Sequence, residues 1–420
     1  MLVYKFGGAS VKDARGVTNL AHIVKRTAGE EMLIVISAMG KTTNALEKLT
    51  KAYVNGDNDV HEIFDQIKQY HYDIVGNLFG DEDSVYIDLN NTFVEIDWML
   101  EDEPHENFDF VYDQIVSIGE LAATRIVSAY LNHFGINSTW LDVRGYIHTD
   151  NTYREGLVDM QKSCAVIQNE IPAMLKKGVV VTQGFLGGTS ENFTTTLGRE
   201  GSDYTAAIFA ACLGAASVTT WKDVPGILNA DPKLFNDTVK FDELTYNEAV
   251  EMTYYGATVI HPKTIKPLQN AGIPLLVKPF NDAHGTGTVI KETAKHHFPK
   301  PIIIVKPGQT LLSVSAKDYS FISEHHLSDI FRLFAKNHVH INLMQTSALS
   351  FSVCFNIYEE RLEQLLSDLK VDFKVKYNSN LTLITLRHYQ PNDLKEQTAG
   401  KTVLLEQVSR STAQVLVKES

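Results

Sequence analysis

The sequence predicts an α/β protein: a mainly parallel sheet sandwiched by helices, followed by a smaller α+β region. Three observations carry this. Leu2–Phe6 and Met32–Ser37 are short apolar runs of buried-strand type, and Arg15–Thr27 between them sets Val17, Leu20, Ile23 and Val24 at helical spacing. Strand, helix and strand within about 40 residues make a βαβ unit, which implies parallel pairing. Second, strands and helices go on alternating to about residue 295. Third, beyond His296-His297-Phe298-Pro299-Lys300-Pro301, which reads as a linker, the order changes to strand, helix, strand, strand, helix.

In chain order, residues 55–110 are acidic, aromatic and helical in period, a helical excursion beside the sheet. Val111–Phe134 reads as one helix, followed by strands Ile136–Leu141, Val179–Thr182, Ser217–Trp221, Pro274–Val277 and Thr288–Ile290. The tail reads as strand Thr310–Val314, helix His326–Asn337, strands Ile341–Gln345 and Ser350–Asn356, and helix Arg361–Leu369. Strands Leu381–Arg387, Val403–Val408 and Ala413–Val417 follow, with one short polar helical piece among them. The expected domains are 1–295, 305–378 and an incomplete copy of the latter over 379–420.

Composition narrows the function. The chain has 420 residues, 44% of them hydrophobic, enough for several cores, and a net charge of −13 with no run of five basic residues. That argues against a nucleic-acid partner. No apolar run approaches the roughly 18 residues of a membrane span, so a cytoplasmic protein without a membrane partner is expected. Cys164, Cys212 and Cys354 show no metal-ligand spacing and read as small buried apolar side chains in a reducing compartment.

The chemistry lies in two glycine-rich loops. Leu2–Phe6 carries one lysine, Lys5, and runs into Gly7-Gly8-Ala9-Ser10-Val11. A strand ending in a glycine pair and opening a helix lets backbone N–H groups approach a phosphate, and Lys5 puts a full positive charge at the same mouth. Gly7, Gly8 and Ser10 are therefore expected to cradle a nucleotide. The second loop runs from Thr194 through Gly198-Arg199-Glu200-Gly201-Ser202-Asp203-Tyr204. Gly40-Lys41-Thr42 is not a Walker loop, because Val35 stands where its first glycine belongs. No metal-ligand cluster is apparent.

Lys5-Phe6-Gly7-Gly8-Ala9-Ser10-Val11 resembles the KFGGTSV signature of aspartate kinases. The resemblance continues in order through Ser37–Asn44, Val116–Leu121, Thr182–Phe185, Thr194–Tyr204, Trp221–Ile227, Ala230-Asp231-Pro232 and Tyr255–Pro262. It implies an amino-acid-kinase-like catalytic domain followed by C-terminal ACT domains, the second truncated here. The activity implied is ATP plus L-aspartate to 4-phospho-L-aspartate, the first step of lysine, threonine and methionine biosynthesis, with Mg²⁺ riding on the phosphates. By resemblance Lys5 touches the transferring phosphate and Asp203 orients the positive groups. Arg199 holds the α-carboxylate and Glu120 the α-amino group, while Thr43, Phe185 and Ser202 shape the substrate pocket. Lys222, Asp223 and Lys233 fall where the family contacts ATP, and a homodimer through the ACT region is implied. Two readings compete: another amino-acid kinase (glutamate, N-acetylglutamate or carbamate), and a catalytically impaired ACT-containing sensor.

The chain departs from the family pattern. Glu200 replaces a glycine beside the phosphate site, and Thr258 replaces a lysine that helps bind the nucleotide. Lys222, then Lys263 or Lys266, are candidates for the missing charge. In the segment Asn342–Ala348, Asn342 replaces an aspartate and Ala348 a common glutamate, so weak or absent lysine inhibition is expected. His261-Pro262 is expected to start a helix rather than bind a metal.

Overall fold

The computed structural model describes residues 1–419 except 28, 81–83, 258–259, 295–297, 319 and 358, and the side chains of 359–360. Position 258 and the first two residues of the expected linker therefore lie outside the described residues. Two compact units are present: residues 1–227, 240–250 and 258–296 form the first, and 228–239, 251–257 and 297–420 the second. Two stretches inside the expected 1–295 range thus pack with the second unit.

In the first unit, strands β1 (Leu2–Phe6), β2 (Met32–Ile36), β3 (Ser138–Leu141), β4 (Val179–Gln183), β7 (Ser217–Lys222), β8 (Glu243–Thr245), β9 (Leu275–Pro279) and β10 (Thr288–Lys291) form one sheet. Its order is β3-β4-β2-β1-β7-β9-β10-β8. The strands from β3 to β9 in that order are mutually parallel, and β10 runs antiparallel to β9. A separate hairpin joins β5 (Leu186–Gly188) to β6 (Thr194–Thr196). β2 is buried throughout, as a sheet covered on both faces requires.

The chain leaves β1 for β2 on one side and returns through β7 on the other. Such a reversal opens a crevice beyond the carboxyl ends of the strands, where α/β sheets bind ligands. Helix Ala14–Lys25 buries Val17, Leu20, Ile23 and Val24, and Asp13 caps it by accepting the Gly16 N–H at 2.8 Å. The helical excursion consists of Thr42–Asn55, Val60–Phe79, Val85–Glu101, Phe108–Val116 and Ile118–His133. The single helix expected over Val111–Phe134 is divided at Ser117, whose hydroxyl donates to Gln114 O at 2.8 Å, the kind of back-bond that bends helices.

The cysteine reading needs correction. Cys164 and Cys212 form a disulfide across a sequence separation of 48. They sit on helices Met160–Leu175 and Gly201–Leu213, which pack together, and spacing along a chain cannot reveal that neighbourhood. Cys354 is free and buried.

The second unit holds one six-stranded antiparallel sheet, β12-β13-β11-β14-β16-β15. Its strands are β11 (Ile302–Ala316), β12 (Ile341–Thr346), β13 (Phe351–Phe355), β14 (Phe373–Arg387), β15 (Thr402–Val408) and β16 (Thr412–Lys418). Helices Glu324–Lys336 and Glu359–Lys370 cover one half through Ile330, Phe334, Leu365 and Leu369. The other half is covered by the short helix Pro391–Thr398, with Leu394 packed on Ile384, Leu386 and Val415. β11 and β14 are each 15 residues long and run through both halves, so residues 302–306 complete the half that residues 381–418 cannot build alone.

Candidate active site

Three loops interlock at the carboxyl ends of β1, β2 and β7. A Cβ on Gly8 would fall 2.4 Å from Ala38 O, so only glycine lets the first loop touch the second. The contact is closed by Gly40 N–H donating to Gly8 O at 3.0 Å. Ser10 N–H donates to Gly7 O at 2.9 Å, and the Ser10 hydroxyl reaches Trp221 O at 3.3 Å, tying the β1 loop to the end of β7.

Lys5 is the charged member of β1, hydrogen-bonded between Val35 of β2 and Thr220 of β7 in register and only 6% exposed. Its ammonium lies 3.0 Å from Asp203 Oδ1. Asp203, 2% exposed, stands in the first turn of helix Gly201–Leu213, and its Oδ2 is 3.4 Å from Lys222 Nζ at the end of β7. Burial alone would raise the Asp203 carboxyl, but the Lys222 and Lys5 ammonium groups outweigh it and hold it well below the usual carboxylate range. Lys222 is desolvated too, yet Asp203 and Glu200 keep it more basic than an ordinary lysine. Two cations thus converge on one carboxylate at the glycine loops, leaving positive charge for an anion.

Glu200 occupies the position before this helix with φ 57°, a left-handed conformation that glycine adopts without cost. Its Oε2 lies 3.9 Å from Lys222 Nζ, and burial, with Asp203 close by, raises its carboxyl. Glu200 therefore places a second carboxylate beside Lys222.

Across the crevice, Glu120 lies in the first turn of helix Ile118–His133. Its Oε1 accepts the Ala38 N–H at 3.2 Å, while Oε2 is buried without a hydrogen-bond partner among the described residues. Burial pushes its carboxyl up to about 8 against the pull of Ala38 N–H and Lys5. Thr43, half-buried, opens helix Thr42–Asn55. Phe185 follows β4 at φ 72°, its N–H bound to Thr205 Oγ1 at 3.1 Å and its O accepting Leu197 N–H at 2.8 Å. Ser202 is buried against Gly184, where a Cβ would meet Ser202 Cβ at 2.4 Å.

Arg199 is exposed at the turn following β6. The neighbouring Lys263 Nζ comes within 3.6 Å of a Cβ built on Gly198. His261 caps helix Pro262–Ala271 by accepting the Lys263 N–H at 3.2 Å, as expected of a helix start. Burial and the Lys263 and Arg199 charges lower its imidazole. Asp223 is exposed beside Lys222. Lys233 belongs to the second unit, its N–H held by Asp231 Oδ1 at 2.9 Å. Sequence reasoning missed Tyr70, whose hydroxyl donates to Lys12 O at 2.5 Å and whose Oη would meet a Cβ on Gly40 at 2.6 Å. It also missed Asp113. Neither belongs to a glycine-rich motif, and their partners lie 41 to 83 residues away along the chain.

Residues 1–279 match the model of the amino acid kinase family. Lysine-sensitive aspartokinase 3 of Escherichia coli is 29% identical over 393 residues, covering 92% of this chain and 86% of that protein. Chloroplastic aspartokinase 1 of Arabidopsis thaliana is 31% identical, but this chain spans only 62% of its length. Among solved structures, E. coli aspartokinase III in complex with aspartate and ADP aligns with a TM-score of 0.86 at 27% identity, covering 99% of this chain and 96% of that one.

Proposed function

Since the chain belongs to the amino acid kinase family, we propose that it is an aspartate kinase, moving the γ-phosphoryl group of ATP to the β-carboxylate of L-aspartate. The observation that carries this reading is the Lys5–Asp203–Lys222 cluster at the glycine loops, with Glu120 near Lys5 and its Oε2 buried without a hydrogen-bond partner among the described residues. A substrate carboxylate is already ionised at neutral pH, so the transfer needs no general base. The task reduces to bringing two anions into line and neutralising charge that spreads over the transferring group.

Lys5 meets that charge at the mouth of β1, where Gly7, Gly8 and Ser10 present the loop backbone. Asp203 fixes both lysines by pairing with them. Lys222, with Asp223, serves the nucleotide. Glu120 Oε2 takes the α-ammonium, Arg199 forks onto the α-carboxylate, and Thr43, Phe185 and Ser202 set the depth of the pocket. Mg²⁺ would be carried by the ATP phosphates and would offset their charge; the carboxylates of the cluster, Asp203 and Glu200, already face lysines. The product opens lysine, threonine and methionine biosynthesis, in a cytoplasmic homodimer joined through residues 305–420. No helix among the described residues is long and apolar enough to cross a membrane.

Glu200 supports a second reading, an impaired sensor, because it competes with phosphate for Lys222. A coupled ADP-release assay with aspartate, glutamate and N-acetylglutamate separates the readings. We expect turnover with aspartate and at most a trace with the others. Turnover led by glutamate, or none with any acceptor, overturns the proposal.

A further inference from the structure

Helix Phe108–Val116 places two side chains along the outer edge of β6. Gln114 Nε2 donates to Thr194 O at 2.8 Å, and Gln114 Oε1 accepts the Thr194 N–H at 3.0 Å. Next to it, Asp113 Oδ2 accepts the Thr196 N–H at 2.9 Å and Oδ1 accepts the Thr196 hydroxyl at 2.7 Å. The other edge of β6 pairs with β5. The two side chains therefore stand where a third strand would, satisfying backbone groups that would otherwise be buried and unpaired.

Asp113 does more than finish the hairpin. Its Oδ2 also accepts the N–H of Arg154 at 2.8 Å, a residue held at φ 67°. The Arg154 turn in turn touches the substrate loop: a Cβ on Gly198 would lie 3.2 Å from Arg154 O, and Gly156 N–H donates to Thr196 O at 2.9 Å. β6 and this turn thus flank Gly198-Arg199, and one fully buried carboxylate holds them both.

We propose that Asp113 is a positioning residue for the acceptor substrate: its carboxylate fixes β6 and the Arg154 turn, and through them the direction in which Arg199 leaves Gly198. The inference rests on the reading of Arg199 given above. A carboxylate suits the place because three donors converge on it and an ionised group has no proton of its own to dispose of.

Its titration follows from its surroundings. Burial pushes the Asp113 carboxyl up to about 6, opposed by the Arg154 and Thr196 hydrogen bonds and by the Arg154 charge. The charge acting on Asp113 is Arg154, itself 3.3 Å from Asp109; Glu47 of helix Thr42–Asn55 and Glu120 of helix Ile118–His133 act on the adjacent Tyr112, and β6 brings only threonines, one of them, Thr194, reached by Arg144 Nη1 at 3.3 Å. Above that pH the ionised carboxylate accepts all three donors. Below it, a proton on Oδ1 turns the Thr196 hydroxyl into its acceptor, and Oδ2, now part of a neutral acid, holds the Arg154 and Thr196 N–H groups less strongly, so the network loosens and the KM for aspartate rises.

The test compares full-length Asp113→Ala, Asp113→Asn and Arg199→Lys with the wild type. KM is measured separately for aspartate and ATP from about pH 5.5 to about pH 8, alongside melting temperature. For Asp113→Ala we expect the aspartate KM to rise about tenfold or more with the ATP KM within about twofold, as for a lost buried hydrogen-bond acceptor. Asp113→Asn keeps the shape and cannot ionise, so below about pH 6 its aspartate KM should rise less steeply than the wild type's, the part of the acid rise that Glu120 carries remaining in both. Should Asp113→Ala fail to fold, Thr196→Val removes one of the three donors and is expected to raise the aspartate KM by about two- to fivefold. A lowered melting temperature with unchanged KM, equal effects on both substrates, or an Asp113→Asn profile as steep as the wild type's below about pH 6 overturns the proposal. If Arg199→Lys itself leaves the aspartate KM unchanged, the reading of Arg199 fails first and this one falls with it.

Discussion

A lysine buried between Tyr4 and Phe6 needs a counter-charge, and Asp203 at 3.0 Å supplies it. That pairing explains why Lys5 was legible: an isolated cation in an apolar strand, next to a glycine pair, has few structural reasons to exist. Lys5→Ala is expected to lower kcat by on the order of 10²–10³, the range for one preorganised charge-stabilising donor, with little effect on the aspartate KM. Steady-state kinetics check this, and activity within about threefold of wild type would remove Lys5 from the transition state. Glu120 makes a different prediction. In the empty site its carboxyl, raised to about 8, is mostly protonated at neutral pH. The incoming α-ammonium favours the ionised form, so aspartate binding near pH 7 should release close to one proton, and release should fade as pH rises past about 9. Calorimetry in buffers of different ionisation enthalpy reads this directly; no proton release in the wild type, or equal release in Glu120→Gln, contradicts it. Asp113 and Tyr70 were not legible, because each acts through a contact that chain spacing does not encode.

At the scale of elements, legibility followed period and length. The opening βαβ unit and the helical excursion were read correctly because apolar residues recur at two unmistakable spacings. β5 and β8 were missed; at three residues each they offer no period to read. β11 was read at only a third of its length, since Pro307-Gly308 looks like a chain break. The structure instead places that pair at a register shift between Lys306 and Gln309, a bulge where proline's missing N–H and glycine's φ of 66° cost little. The Cys164–Cys212 bond is an element-scale feature as well: it ties the helix bearing Asp203 to helix Met160–Leu175. Reduction, or Cys164→Ser, is expected to cost roughly 2–4 kcal/mol of stability by freeing the unfolded chain. Thermal melts with and without a thiol reductant check this, and identical melting curves would contradict it.

At the scale of the whole molecule, the second unit carries the prediction about regulation. Within the second unit, the Lys306 ammonium donates to Asn342 Oδ1 at 2.9 Å, and Asn342 Nδ2 donates to Gln309 Oε1 at 2.8 Å. Asn342 is thus both uncharged and engaged by the chain's own lysine, so little acceptor strength is left for the ammonium of a free amino acid. Lysine is expected to inhibit weakly or not at all, and a lysine and threonine titration alongside light scattering measures both this and the dimer. Strong inhibition by submillimolar lysine, or a fully active monomer, would contradict this account of the tail. β12 and β15 are the open edges of the six-stranded sheet and supply the surface a dimer through this region would use. The central claim is the reaction itself, and its product is diagnostic. Purified protein incubated with ATP, Mg²⁺, aspartate and hydroxylamine should form aspartyl hydroxamate in a one-to-one ratio with ADP. ADP release without hydroxamate, or hydroxamate formed equally well by Lys5→Ala, would contradict carboxylate phosphorylation at this site.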